Sequence, residues 1–288
     1  MAGFRSVKKY AQAWEDGRSY TTHFRKSVTF SNSANRWFDL STVAGGPVAN
    51  FYASNPLEAA TLTGSRGIYH GDNKSPASKW LTAWSATCNT AVLPQLYLLD
   101  YLLYYPFIDG DDVSAQALTN DVTLPRYEDG EGVKVIAVCV ATATGSGQFT
   151  FDYINEQGAS KTSPTQFCIG SGTPPIVGQL LSVPSAGSTQ ATLPFCELAA
   201  GDKGIRSITS VTWTTPNSGL MCLVLVKPLS LLQIREVNAQ SEQELITQAP
   251  GPIKILDGAY LNLLGYATGS LPGTGVVGTL STIWDEGT

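Results

Sequence analysis

From Val122 almost to the end of the chain, apolar and polar residues alternate with a period of two. That period belongs to strands with one face buried, and it excludes a helical bundle. The segments "VKVIAVCVATAT", "GQFTFDYIN", "KTSPTQFCIG", "QATLPFCELA", "GIRSITSVTWTTP" and "GLMCLVLVKPL" are strand candidates, and "IKILDGAYLNLLGY" and "GTLSTIW" close the set. Turn chemistry separates them at "EDGEG", "GSG", "NEQG", "GSGTPP", "AAGDKG" and "PNSG". "FTFDYINEQGASKTSPTQF" reads as a hairpin. Short strands at this spacing predict a mainly β protein, an antiparallel β-sandwich or jelly roll with one or two short helices and an N-terminal arm. No period of 20–50 residues recurs, so a solenoid or propeller is disfavoured.

Three textures divide the chain: an arm over 1–26, a mixed β and loop region over 27–121, and the β-sandwich region over 122–288. The change near residue 122 need not separate autonomous domains, and 27–288 reads equally as one unit. In the arm, Ser6 to Glu15 predicts a helix stopped by Gly17. "THFRKSVTF" and "NRWFDLST" alternate as strands. "SPASKWLTAW" suits one or two helical turns with Ser75 as N-cap, which would put Trp80 and Trp84 on one core-facing side. Ser241 to Ile246 suggests another turn. In "LPQLYLLDYLLYYPFIDGDD", Leu96, Leu99, Leu102 and Leu103 recur at three and four residues. The spacing predicts a short buried helix from about Leu93 to Tyr105, ended by Pro106, with Asp100 accepting from a Tyr hydroxyl. A strand is the competing reading, because Tyr and Phe also favour strands.

Composition narrows the function classes. Charged residues are only 14% of the chain, against about 25% in ordinary soluble proteins. A surface so poor in charge suits permanent contact with other subunits. The net charge of −5 gives no basic footprint for nucleic acid. Arg5, Lys8, Lys9, Arg18, Arg25 and Lys26 make the arm locally positive and are the candidate partner contacts. No stretch reaches the roughly 18 apolar residues of a spanning helix, and the N-terminus lacks the apolar core of a signal peptide. Five cysteines without CxxC spacing, two of them inside apolar runs, fit a reducing cytoplasm.

Catalytic and metal templates fail one after another. Asp109, Asp111 and Asp112 offer the hard oxygens that Ca²⁺ takes, but an EF-hand loop counted from Asp109 meets Ser114 and Asn120 where Gly and Glu belong. "GTGVVG" (Gly273, Gly275, Gly278) spells the dinucleotide fingerprint without its strand, helix and distal acid, and reads as a glycine-rich turn. His23 and His70 are the only histidines, too few for the usual zinc sites. His70 and Asp72 lie close in sequence, yet no G-x-S-x-G elbow accompanies them. Asp100, Asp152, Glu156 and Asp257 are nominal glycosidase carboxylates that sequence cannot pair. No cofactor and no enzymatic activity are expected.

The phrases "NRWFDLST", "GGPVANFYASNPL", "GIYHGD", "LLDYLLYYPFIDGDD", "LPRYEDGEGVKV", "AAGDKGIRSI" and "DGAYLNLL" together resemble virion structural proteins of tailed bacteriophages. The likeness runs from about residue 18 to the C-terminus and carries no site motif. It implies a particle component assembled in the host cytoplasm, chiefly a capsid decoration or cement protein. Its partners would be the major capsid protein or other virion subunits, met as a homotrimer, with no nucleic acid and no membrane. A tail or adaptor subunit, or a host-surface carbohydrate-binding protein, are the alternatives.

Overall fold

In this computed structural model, which describes residues 4, 6–30, 34–142, 146–169, 175–248 and 250–286, the alternating segments form strands. After the helix α1 (Val7–Glu15) come β1 (Ser19–Phe30), β2 (Arg36–Asp39), β3 (Gly45–Gly46), β4 (Ala60–Thr61), β5 (Lys79–Cys88) and β6 (Gln95–Asp109). Then follow β7 (Gln116–Ala117), β8 (Lys134–Ala141), β9 (Gln148–Asn155), β10 (Ser160–Thr162), β11 (Gln166–Cys168) and β12 (Ser182–Val183). The last are β13 (Ile205–Thr215), β14 (Leu220–Gln233), β15 (Ser241–Glu244), β16 (Ile253–Ile255), β17 (Leu261–Ala267) and β18 (Leu271–Trp284). The protein is mainly β, and these strands make three antiparallel sheets.

The first sheet runs β15-β5-β18-β1-β3, with β16 beside β5. The central sheet runs β2-β17-β6-β14-β8, with β4 on β6, and the third runs β12-β11-β9-β13-β7, with β10 on β9. The first and central sheets both mix strands from either side of residue 122, so the texture change there divides no structural unit. Strand β1 likewise belongs to the first sheet, which ends the arm near Arg18 and not at residue 26. The expected turns at 145–147 and 170–175 fall partly outside the described residues.

Strand β6 is the spine. A bulge at Leu102 and another at Leu229 of β14 keep its ladder in step while reversing the alternation. Leu96 and Leu98 therefore share a face with Leu103 and Tyr105, but each pair enters a different core. The former pack with Phe24, Trp84 and Leu280 of the first sheet. The latter pack with Phe149, Phe151 and Trp213 of the third. Two sheets are thus stacked side by side on one face of the central sheet. On its opposite face Leu99, Tyr101 and Tyr104 pack with Trp37, Tyr52 and Tyr260.

Burial on both faces explains why the predicted helix over 93–105 is instead a strand. Such a strand reads as a continuous apolar run, and its leucines imitate helical spacing by coincidence. Four other expectations are corrected. Lys79–Cys88 is a strand, and its bulge at Thr82 sends Trp84 into the core while Trp80 stays half-buried on the other face. Ser241–Glu244 is a strand paired with β5. The segment "QATLPFCELA" is irregular, because its ladder is reduced to single contacts such as Cys196 N–H to the Val135 carbonyl (2.8 Å). The "GTGVVG" glycines lie within β18, not in a turn. A Cβ at Gly278 would fall 2.0 Å from the Ser85 carbonyl oxygen, so only glycine lets β18 sit between β1 and β5 there.

Asp100 stands on the β6 face shared by both cores, at the divide between them. It accepts from Arg126 Nε (2.9 Å) and Nη2 (2.7 Å) and from the Tyr260 N–H (2.9 Å). This corrects the expected Tyr hydroxyl partner. Arg126 Nη2 also donates to the carbonyls of Tyr101 (2.9 Å) and Leu62 (3.2 Å). Strands β17 and β4 lie along the same edge of β6, pairing with residues up to Asp100 and from Leu103. The guanidinium fills the notch between them and satisfies carbonyls that neither strand reaches.

Removing one partner leaves a buried charge alone. Arg126→Met should lower the unfolding free energy by about 3–5 kcal/mol in urea titration. Adding Asp100→Asn should recover part of that loss. A single-variant loss below about 1 kcal/mol would show that the pair is not what closes the notch.

Candidate assembly surface

The basic residues of the N-terminal segment separate into different environments. Arg5 lies outside the described residues. Lys8 and Lys9 are exposed on α1, and Arg25 is exposed on β1. Arg18 pairs with Asp16 (2.9 Å) and more loosely with Glu286 (3.4 Å). Lys26 is corrected as a partner contact. It is fully buried, on the same side of β1 as Phe24 and Val28, and its Nζ donates to the carbonyls of Val43 (3.3 Å) and Pro47 (3.0 Å). Burial pushes this ammonium down to about 8, while Asp39 pulls it back up.

What sequence reading missed is the apolar side of α1. Val7, Tyr10, Ala11 and Trp14 fall at helical spacing, and that signal was present in the sequence. Ser6 caps the helix by accepting from the Lys9 N–H (3.2 Å), and Gly17 at φ +68° ends it. Phe4, Tyr10 and Trp14 stack edge-to-face in series. Val7 is 85% exposed and Trp14 42%, and Ala13 is the only residue of the helix that is buried. A nine-residue helix is marginal alone in water, since nucleation is costly and helices this short depend on packing. One buried alanine supplies little of it.

Beside the helix, the first sheet has an open edge. Trp284 N–H donates to the Arg18 carbonyl (3.0 Å). In that register alternate residues of β1 bond to β18, while Ser19, Thr21 and His23 turn their main-chain groups outward. Strand β3 covers this edge at Arg25 and Lys26, and the Ala44 carbonyl accepts from the Ser27 N–H (2.9 Å). Among the described residues no strand pairs with the rest. An uncovered run of N–H and C=O groups is a template for another strand.

The remaining candidates have local roles. Asp109 accepts from the Asp111 N–H (2.9 Å), Asp112 from the Ser114 N–H (2.8 Å), and Asp111 from Ser218 Oγ (3.0 Å), so the aspartates cap turns. Among the described residues no group of three or more His, Cys, Asp or Glu is arranged to hold a metal ion. The nominal carboxylates are committed separately. Asp100 binds Arg126, Asp152 accepts from Thr162 Oγ1 and Ser210 Oγ, Glu156 from the Gly204 N–H, and Asp257 from the N–H groups of Lys74 and Ser75. Among the described residues no helix is long and apolar enough to cross a membrane. His70 Nε2 donates to the Ala259 carbonyl (2.9 Å), which fixes the neutral tautomer with Nδ1 buried and unpartnered.

No family model and no curated protein matches the chain. Among solved structures it is similar to VP2 of infectious bursal disease virus. A mutant VP2 in derived T=1 particles aligns at 10% identity with a TM-score of 0.18, over 93% of this chain and 78% of that one. The Gt strain structure of that virus aligns at 10% identity and 0.20, over 93% and 81%. The VP2 subviral particle aligns at 10% and 0.19, over 94% and 81%. Superpositions this loose carry no argument about role.

Burial holds His70 near 4, below its ordinary 6.5. Between those values the unfolded chain takes up a proton that the folded chain refuses, so stability falls as pH drops from 6.5 to 4. The expected loss is up to about 3 kcal/mol. His70→Gln should flatten that part of a urea-midpoint profile, and an unchanged slope would assign it to other groups.

Proposed function

We propose that this protein is a structural subunit of a tailed-phage virion, a capsid decoration protein acting as a homotrimer on the major capsid protein. The observation that carries the reading is α1. The helix is capped at both ends and shows aromatic and aliphatic side chains to solvent, yet it buries only Ala13 on its own body. A partner's apolar surface would supply the packing that this helix lacks, and the open edge of β1 beside it would take a strand from the same neighbour. The low charge density fits a surface meant for subunit contact. A tail or adaptor subunit would use the same helix and edge, so location within the particle separates the two placements.

The test is deletion of residues 2–15, which spares β1, with particle incorporation followed by cryo-electron microscopy and mass in solution. The truncated chain should keep its melting temperature within a few degrees, because one buried alanine is lost, and should no longer join particles. Density at capsid three-fold positions with a trimer mass supports decoration. Density confined to the tail moves the protein there, and full incorporation of the truncated chain overturns the role of the helix.

A further inference from the structure

Residues 69–75 cross the end of the first sheet as a strap. Among the described residues no main-chain bond ties this segment to another part of the chain, and each bond that holds it involves a side chain. His70 Nε2 donates to the Ala259 carbonyl, and Thr282 Oγ1 donates to the His70 carbonyl (3.2 Å). Lys79 Nζ donates to the carbonyls of Gly71 (3.2 Å) and Asp72 (3.1 Å). Asn73 Oδ1 accepts from the Gly258 N–H (2.9 Å), and the Asp257 carboxylate accepts from the N–H groups of Lys74 (2.9 Å) and Ser75 (3.0 Å). Two ring contacts complete the attachment: Tyr69 meets Tyr20 edge-on (5.2 Å), and Lys74 Nζ lies 4.1 Å over the Trp284 ring. A segment outside every ladder opens at a lower free energy than the sheets it covers.

The central anchor of the strap stands between cations. His70 is buried, and Lys79, buried too, bonds the two residues that follow it. On the other side Arg126 lies beside Gly258, next to the Ala259 carbonyl that His70 holds, since a Cβ at Gly258 would fall 3.9 Å from Arg126 Nη1. The nearby carboxylates are engaged elsewhere. Asp100 pairs with Arg126, Asp72 accepts from the Tyr69 hydroxyl (2.6 Å), and Asp257 holds the two N–H groups. Among the described residues no carboxylate forms an ion pair with His70. A neutral imidazole suits this place, whereas a charged one would meet burial and two like charges.

We propose that the strap is an acid-operated cover: protonation of His70 releases residues 69–75 from β5 and β18 while the three sheets stay folded. The imidazolium leaves Lys79 and the interior by moving into water, and the other anchors are side-chain bonds that part with it. Opening uncovers Lys79 and Thr282, each 1% exposed in the closed form. The end of β18 beneath the strap also holds Arg18 through the Trp284 N–H, so the uncovered surface adjoins α1. The device does not depend on the assembly reading.

Hydrogen exchange read by mass spectrometry on the full chain at pH 7, 5, 4 and 3 tests it, each rate being referred to that of an unstructured peptide at the same pH. Protection of the peptide carrying Lys74 and Ser75 should fall at least about tenfold between pH 7 and pH 3, while β6 and β14 keep theirs. Burial, with Lys79 and Arg126 adding to it, holds His70 near 4 against an ordinary 6.5, so protonation favours the open form by at most about 300-fold. His70→Gln keeps a donor for the Ala259 carbonyl and cannot take the charge, so its strap should stay protected at pH 3. The chain has only two histidines, and NMR titration of the unaltered protein should give His70 the same midpoint as strap opening. That comparison decides the matter if His70→Gln does not fold. A strap that stays closed at pH 3, a strap and β6 that lose protection together, equal opening in His70→Gln, or midpoints that disagree each overturns the proposal, whether or not the chain joins particles.

Discussion

Everything in this fold depends on how strand β6 is allowed to be buried on both faces along its whole length. Its backbone serves two sandwiches, and the side chains of one face must change core midway. A continuous apolar face would give no reason for the first and third sheets to part. Asp100 and Arg126 provide that reason, since a fully hydrogen-bonded ion pair excludes apolar neighbours from the divide. The bulge at Leu102 falls just beyond the pair, where β17 ends and β4 begins. Arg126 then bonds the Tyr101 and Leu62 carbonyls left at that junction. Here a buried charge pair specifies arrangement more than it adds stability.

A second polar node sits behind the first, one residue along the same strand. Tyr101 points to the opposite face and donates to Asp39 Oδ1 (2.7 Å). The Asp39 carboxylate also accepts from Ser41 N–H and Oγ and, by a short bond, from the Tyr52 hydroxyl. Burial drives this carboxyl's proton affinity up, and the four donors work against that shift. Lys26 belongs to the same neighbourhood, since its ammonium holds the carbonyls of Val43 and Pro47 in the loop that follows Asp39. Loop 43–53 is thereby fixed over the outer face by one lysine, one aspartate and one tyrosine. The same loop carries Asn50 and the exposed Phe51, which this node holds in place.

Sequence reading captured what obeys alternation and lost what departs from it. Strands β9 and β13 have one polar-facing side and β8 is rich in valine and isoleucine, and turn residues bracket all three and β14, so these four were legible. Strand β6 was not, because two buried faces and a bulge erase the period. Lys26 was readable in principle: in "THFRKSVTF" the alternation that sends His23, Arg25 and Thr29 outward sends Phe24, Lys26 and Val28 inward. Charge type overrode pattern there. The helix stripe of Val7, Tyr10 and Trp14 is also visible in the sequence, interrupted by Lys8 and Lys9. Arg126 with Asp100, and Tyr101 with Asp39, join distant parts of the chain through the central sheet. No spacing rule reaches that far.

Native interiors leave few polar atoms unpaired, so where they are left matters. In this protein such atoms are scattered among the described residues, at Tyr10, Asn50, His70, Thr87 and Trp213 among others, whereas the nodes around Asp100 and Asp39 are fully bonded. At the periphery α1 shows the apolar counterpart, with aromatic area that the body does not cover. A scaffold that bonds its central charges fully and leaves apolar area uncovered at its margin is arranged to meet a partner there.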